Sequence, residues 1–433
     1  MSDYQETLDY IFSSLPMFHR IGGAAYKANL DNTLHLSRLT GEPENNFPSV
    51  HIAGTNGKGS VSSILASVMQ ESGLRTALFT SPHLKDFRER IRINSKMIPK
   101  TDVVNFFKHY RKDFEAIHPS FFEMTFALAM WWFSREKPDI AIIETGMGGR
   151  LDSTNIIQPM LSVITNIGLD HQQFLGGSIH EIAGEKAGII KQGTPVVIGE
   201  THKDSKDIFV EKARQMEAPV YFADRIYEVN SFRFKMSPSP VLDMNIWKEG
   251  IEYLPSLISP LAGLYQMRNA PTVLCSLDVL NDLGLTTSVE HIRQGYLRVT
   301  QNTGFRGRWQ LIGRKPLIIC DTGHNLDGIR EVVRQIRLVP HEELHMVFGM
   351  VEDKERGEIL DSLPRFARYY FCKPAVPRGL DAQKLLAEAE TLGLAGQAFP
   401  GVGEALEAAR SRAAEKDLIF VGGSTFVVAE VVK

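Results

Sequence analysis

A chain of 433 residues is too long for one hydrophobic core and calls for at least two domains. With 48 basic against 51 acidic residues, its formal charge of −3 excludes the electrostatic footprint of a nucleic-acid binder or of a protein drawn to anionic membranes. Any anionic ligand must be held by local geometry instead.

The opening MSDYQETLDYIFSSLP carries acids and lacks the basic-then-apolar order of a secretory signal. No apolar run approaches the roughly 20 residues needed to cross a bilayer, so a cytoplasmic location is expected. Cys275, Cys320 and Cys372 are scattered without CxxC spacing and read as buried thiols of a reducing compartment, with a disulfide pair as the alternative.

Short apolar runs ending in Gly, Ser, Thr or Asn alternate with helical-period stretches, which predicts a parallel sheet with crossover helices. The predicted strands are Val50–Ala53, Thr76–Thr80, Ile140–Glu144, Leu161–Thr165 and Val196–Gly199. From Asp224 to Leu261, β-branched and aromatic runs broken by proline suggest a small antiparallel sheet. Helices are expected over Gly263–Leu283, stopped at Gly284, and over Ser288–Val299. After the turn-like QNTGFRG the alternation restarts, with strands at Leu317–Cys320, His345–Phe348, Tyr369–Phe371 and Leu418–Val421. Helices between them are expected at Asp327–Leu338, Glu355–Phe366, Ala382–Leu392 and Gly403–Ala413. The expected domains are therefore residues 1–299 and 300–433, two α/β units.

Between the first strand and a helix with apolar face Val61, Ile64, Leu65, Val68 and Met69 lies Gly54-Thr55-Asn56-Gly57-Lys58-Gly59-Ser60. Glycines let the backbone approach phosphate oxygens, the helix N-terminus aims N–H groups at them, and Lys58 adds a point charge. The fit to the Walker pattern is imperfect: the first glycine stands closer to Lys58 than usual, and Gly59 occupies the Ser/Thr place. A glycine-rich turn without nucleotide is the plain alternative.

Ile140–Glu144 delivers a carboxylate to the same sheet edge, where ligands of open α/β sheets bind, and a hard oxygen there suits Mg²⁺. A strand-end acid facing water is the competing reading. The loop after Leu161–Thr165 brings His171 to that edge, as a metal ligand or as an ordinary surface histidine. Lys186, in IAGEKAGIIK, reads by itself as a solvated helix lysine.

The ordered set HIAGTNGKGS, TSPHL with ERI, FFEMTFALA, IIETGMGGRLDSTN, ITNIGLDHQQFLG, IAGEKAGIIK, LAGLYQMRNA, RGRWQ and CDTGHN resembles the motif ladder of folylpolyglutamate and dihydrofolate synthases, the folate branch of the Mur ligases. It covers residues 20–330 closely and the remainder in layout. The resemblance implies a P-loop-like, parallel-sheet α/β N-terminal domain with a small antiparallel sheet and a Rossmann-like α/β C-terminal domain.

It also implies roles. Thr55, Asn56, Gly57 and Lys58, with Gly59 and Ser60, would hold ATP phosphates; Ser81 and Glu144 would bind one Mg²⁺ and His171 a second. Lys186 would be carbamylated and serve as a metal ligand, since a carbamate reverses the ammonium's charge. Asn269, Arg308, Asp321 and His324 match nucleotide-side positions, with Arg308 as the charge brought in when the second domain closes. Ser120, Phe121, Phe122 and Glu123, and Leu151, Asp152 and Ser153, match segments that touch pteroate; Phe121 and Phe122 read equally as helix core. Tyr26 and Lys27 lie in a further segment that could contribute. The usual Pro-Gly-Arg is here Arg306-Gly307-Arg308, and the usual Asp-Gly-Ala-His-Asn is Asp321-Thr322-Gly323-His324-Asn325.

The implied reaction is ATP-driven acyl-phosphate formation on a dihydropteroate or reduced-folate carboxylate, followed by attack of the L-glutamate amine. Two Mg²⁺ ions and ATP are implied as cofactor and co-substrate, a monovalent-cation requirement is left open, and a monomer is expected. Two rivals stand beside it. A cell-wall Mur ligase needs an N-terminal substrate domain, for which a phosphate loop starting by residue 54 leaves no room. A P-loop switch ATPase would lack a use for Lys186.

Overall fold

The computed structural model describes residues 3–17, 22, 29–352 and 356–432. Tyr26 and Lys27 lie outside the described residues. The first sheet has eight strands: β1 (Ser49–Ala53), β2 (Thr76–Phe79), β3 (Ile91–Ile93), β4 (Lys96–Met97), β5 (Ile140–Glu144), β6 (Leu161–Ile164), β7 (Val196–Ile198) and β8 (Val220–Phe222). They lie in the order β4-β3-β2-β5-β1-β6-β7-β8. β1 pairs in parallel with β5 on one side and β6 on the other, and β2, β7 and β8 extend the parallel set. β3 and β4 add an antiparallel edge.

Every residue of β1, β5 and β6 is buried, which is why these strands read as continuous apolar runs rather than alternating ones. The sheet order reverses direction around β1, so the crevice beyond the C-terminal ends of β1, β5 and β6 is a topological switch point.

Three further strands, β9 (Tyr227–Lys235), β10 (Val241–Lys248) and β11 (Ile251–Ser259), form the small sheet expected there. Glu249 and Gly250, with φ of 51° and 78°, make the two-residue turn between β10 and β11. Positive φ at both central positions matches the twist of an antiparallel hairpin.

The second α/β sheet contains β12 (Gln310–Arg314), β13 (Leu317–Cys320), β14 (Leu344–Phe348), β15 (Arg368–Cys372), β16 (Gly396–Phe399) and β17 (Leu418–Gly422), in the order β12-β13-β17-β14-β15-β16. Only β12 runs antiparallel. Its core packs Ile319, Val332, Met346, Phe348, Phe371 and Leu385 on one face and Val347, Cys372, Val421 and Val428 on the other. The helix expected at Glu355–Phe366 is observed as Arg356–Asp361, Glu355 lying outside the described residues. Pro364 disfavours the α conformation at Leu363 and ends any continuation.

The chain divides into two compact units by contact: Met1–Phe232 with Met244–Ile258 and Gln266–Phe305, and Arg233–Asp243 with Ser259–Tyr265 and Arg306–Lys433. The three cysteines are buried free thiols, and burial pushes Cys275 up to about 12. No described helix is long and apolar enough to cross a membrane.

Candidate active site at the sheet edge

The loop after β1 is shaped by two glycines that cannot be replaced without movement. Gly54 has φ of 150°, and a Cβ there would lie 1.9 Å from Thr165 Oγ1. Gly57, at φ 86°, begins the helix Lys58–Glu71, and a Cβ there would lie 2.4 Å from Asn269 Oδ1. Gly59 is held small from another side: its Cβ would meet the Phe305 ring at 3.1 Å and Glu144 Oε1 at 3.7 Å. A side chain at this place, where a Walker loop carries Ser or Thr, would crowd the Phe305 ring. The helix has the predicted buried face, and its first-turn N–H groups have no acceptor within the helix. They form an anion-binding end.

The loop beyond β6 clamps this turn. Thr55 N–H donates to Asn166 O at 3.0 Å and Asn56 N–H to Asn166 Oδ1 at 2.8 Å. Thr165 Oγ1 donates to Asn56 O at 2.6 Å, and Thr55 Oγ1 both accepts from Gly168 N and donates to Gly168 O. Ser60 is buried and accepts from Gln266 Nε2 at 3.0 Å, while Asn269 Nδ2 donates to Gln266 Oε1 at 2.8 Å. Thr55 and Ser60 thus spend their hydroxyls on the loop's own architecture. Asn166 and Gln266 are its organisers, to which the sequence reading gave no role; each lies inside one of the quoted motifs, ITNIGLDHQQFLG and LAGLYQMRNA, and that was the available signal.

Two ammonium groups converge on one carbonyl. Lys58 Nζ donates to Gly54 O at 2.9 Å and to Thr55 O at 3.3 Å, and Lys186 Nζ donates to the same Gly54 O at 2.9 Å. Lys186 is 2% exposed. Burial first, and then the Lys58 charge, lower its pKa to about 7, with Asp170, Asp152 and Glu185 opposing. It is therefore not the solvated helix lysine of the plain sequence reading. A lysine poised near neutrality carries a usable fraction of nucleophilic amine at physiological pH.

At the neighbouring strand end Glu144 is 3% exposed, and its Oε2 accepts from Ser81 N–H at 3.0 Å. The buried Arg90 lies in the field of this carboxylate; burial lowers its pKa to about 10 against the opposing pull of Glu144 and Glu89. Arg90 Nε also donates to His83 Nδ1 at 2.8 Å. His171 sits at φ 54° and opens the short helix Gln172–Leu175, its N–H donating to Asp170 Oδ1 at 2.9 Å. Asp170, absent from the sequence-derived set, thus links His171 to the field around Lys186.

On the substrate side, Ser120 and Glu123 form a capping box for the helix Phe121–Glu136: Ser120 N–H donates to Glu123 Oε2 at 2.6 Å, and Glu123 N–H to Ser120 Oγ at 3.2 Å. Phe121 is core, with the Arg90 guanidinium 5.1 Å from its ring centroid. Phe122 is partly buried and packs over Gly146, where a Cβ would lie 2.7 Å from the ring. Leu151 and Ser153 are half-buried, while Asp152 is buried and N-caps the turn Ser153–Ile156.

In the second unit, Asp321 is buried and accepts from Trp309 N–H at 2.7 Å, Gly323 N–H at 2.8 Å and Tyr265 Oη at 2.6 Å. Burial raises its pKa, and Arg308 opposes. Arg308 donates to the Thr322 hydroxyl, and His324 Nδ1 lies 3.1 Å from Thr322 O. Arg308, Asp321 and His324 thus gather around one loop.

Among the described residues, three acid or imidazole side chains bring donor atoms within 4.8 Å of one another only at Glu343, His345 and Asp417. There Glu343 is paired to Arg368 at 2.7 Å and Asp417 accepts from Glu343 and Ala414 N–H groups, an arrangement that ties strand ends together.

Comparison with known proteins bears on the fold that carries these residues. Residues 52–276 match the family model described as the Mur ligase middle domain and residues 307–425 that of the Mur ligase glutamate ligase domain. A folylpolyglutamate synthase of Lacticaseibacillus casei is 32% identical over 394 residues, 87% of each chain. A probable bifunctional folylpolyglutamate synthase/dihydropteroate synthase of Haloferax volcanii is 31% identical over 99% of this chain and 50% of its own, so the chain spans half of that relative's length. The crystallised Mycobacterium tuberculosis folylpolyglutamate synthase complexed with ADP superposes with a TM-score of 0.88 at 27% identity, covering 99% of this chain and 97% of the other. The chain belongs to the dihydrofolate synthase/folylpolyglutamate synthase family of the Mur ligases.

Proposed function

We propose that this chain is an ATP-dependent ligase that converts the carboxylate of a pteroate or folate into an acyl phosphate and passes it to the amine of L-glutamate. The observation that carries the reading is the pair of lysines on Gly54 O, at the head of an anion-binding helix and beside the Glu144 carboxylate. Lys58 and the helix N-terminus offset phosphate charge, with Thr55, Asn56, Gly57, Gly59 and Ser60 setting the loop. Asn269, Arg308, Asp321 and His324 serve the nucleotide side.

The residues also suit Mg²⁺. Glu144 is a nearly buried hard oxygen donor beside Ser81, and Lys186 is held close enough to neutrality to react with CO₂ and become a second oxygen ligand, with His171 on the same rim. When bound, Mg²⁺ withdraws charge from the triphosphate. Phe122 and Leu151–Ser153 would border the pteridine-bearing acid. A cytosolic setting fits the three free thiols. A monomer, open to check by sedimentation, is the proposed state.

The test offers purified protein dihydropteroate and tetrahydrofolate separately, each with ATP and labelled glutamate. Label should enter a folate product with stoichiometric ADP, and hydroxylamine should trap the activated acid as a hydroxamate. ADP release indifferent to both acid and glutamate would defeat the reading.

A further inference from the structure

His51 lies in the middle of β1, is fully buried, and belongs to the phosphate-loop motif, yet nothing in the reaction uses it. Its Nε2 lies 2.8 Å from Thr154 Oγ1, and that hydroxyl lies 2.5 Å from Asp152 Oδ1. A hydroxyl has one proton. If Thr154 gives it to the carboxylate, His51 must donate at Nε2, leaving Nδ1 as the acceptor that has no partner. The imidazole is then neutral and fixed in one tautomer, in keeping with its pKa of about 3, lowered by burial first and by Lys191 second.

Asp152 is the far end of this chain. Besides Thr154 Oγ1 it accepts from Thr154 N–H at 3.0 Å and Met147 N–H at 2.8 Å; burial raises its pKa, and the Thr154 hydroxyl and the Met147, Thr154 and Gly146 N–H groups oppose that rise. Two carboxylate oxygens offer about four lone-pair sites, and its own chain takes most of them. The run from Thr145 to Gly149 that it holds is threaded through a narrow space. A Cβ on Gly146 would strike Phe122, and one on Gly149 would lie 2.8 Å from Glu185 O. The far side of the segment is fixed independently: Lys191 Nζ donates to Asn155 O at 2.7 Å, and Asn155 Nδ2 donates to Arg150 O and Gly188 O.

The geometry points to His51, Thr154 and Asp152 as a buried positioning relay that fixes the glycine run under Phe122 and so sets affinity for the acid substrate. This rests on the functional reading above for the identity of that substrate. It gives Asp152, which borders the acid, a supporting role as well, acting through the backbone N–H groups of residues 146 and 147.

Two measurements test it. In wild-type protein labelled at histidine, with His51 assigned by His51→Gln, long-range ¹H–¹⁵N spectra should show His51 as the neutral Nε2–H tautomer from pH 8 to 5. An Nδ1–H tautomer would mean the proton sits on Asp152 and the relay runs the other way, which overturns the proposal without reference to activity. In steady-state kinetics Thr154→Val should raise KM for the pteridine acid about tenfold while kcat and the KM values for ATP and glutamate stay within about twofold; Thr154→Ser should restore it. Equal movement of all three KM values, or no movement, overturns the positioning role. A wild-type protein that does not ligate glutamate at all sinks the functional reading instead, and the tautomer still decides the relay.

Discussion

Two ammonium groups hydrogen-bonded to one carbonyl oxygen can coexist only if one of them readily gives up its charge, and Lys186 is the one whose pKa has fallen to about 7. As pH rises through 7 the amine becomes neutral and able to add CO₂, while lysines near their ordinary value stay protonated. Incubation with ¹³C-bicarbonate should therefore give one carbamate carbon signal that grows between pH 6 and 8 and vanishes in Lys186→Ala. That variant should lose turnover, and Lys186→Glu should keep part of it. Full activity in the alanine variant would remove Lys186 from the site. The position was half legible: Ile182, Ala183 and Ala187 mark the buried face of their helix, and Lys186 stands on that face. Spacing shows a lysine where an apolar residue is expected, but the carbonyl it reaches comes from a loop 132 positions away.

His51 makes a second prediction at this scale. Its folded pKa of about 3 lies below the unfolded value near 6.5, so the unfolded chain binds the extra proton between those values. Stability is unaffected above pH 6.5 and falls as pH drops toward 3, by about 2 kcal/mol at pH 5 from this residue alone. His51→Gln, which keeps a donor and cannot titrate, should flatten the loss of denaturation free energy between pH 7 and 5 by about that amount. An unchanged slope would mean that His51 takes up its proton in the fold as readily as in the unfolded chain.

At the scale of elements, what separates the readable from the hidden strands is burial. β1, β5, β6, β13, β14 and β17 are covered on both faces or nearly so, and their sequences are unbroken apolar runs. β8, β12 and β16 are only half-buried edge strands, and GQAF or QLIGR carries too little pattern to be read as a strand. The glycine loop was readable because its glycines are demanded by backbone shape. Gly54→Ala should therefore collapse it, since the new Cβ overlaps Thr165 and φ stays at 150°. ATP-dependent turnover should fall at least about a hundredfold. Gly73→Ala supplies the contrast, with φ of 90° but open space around it, and should cost only about 1 kcal/mol of stability with activity kept. Comparable activity losses in both would show that helix stability, rather than loop shape, is what matters.

At the scale of the whole molecule, a division at residue 299 follows the linear sequence, whereas the second unit also draws on two earlier segments, Arg233–Asp243 and Ser259–Tyr265. Pattern along the chain cannot reveal this, because the segments are short and their value lies in what they complete. Gln335 is 1% exposed; its Oε1 accepts from Leu264 N–H at 2.8 Å and its Nε2 donates to Ala262 O at 2.7 Å. Tyr265 supplies the hydroxyl on Asp321, and Phe234 packs beside the buried Trp309. A fragment of residues 306–433 keeps both faces of its sheet but loses the two hydrogen bonds of Gln335, each worth roughly 0.5–1.5 kcal/mol, together with the apolar cover of the earlier segments. The fragment should fold with a lowered denaturation midpoint, and a peptide of residues 259–265 added in trans should raise it in a saturable way. Gln335→Met in the same fragment should weaken the response to peptide, because the hydrogen bonds to Ala262 and Leu264 can no longer form. If the fragment is as stable as the same unit in the intact chain and ignores the peptide, the earlier segments are linkers lying on a self-sufficient domain rather than part of its core.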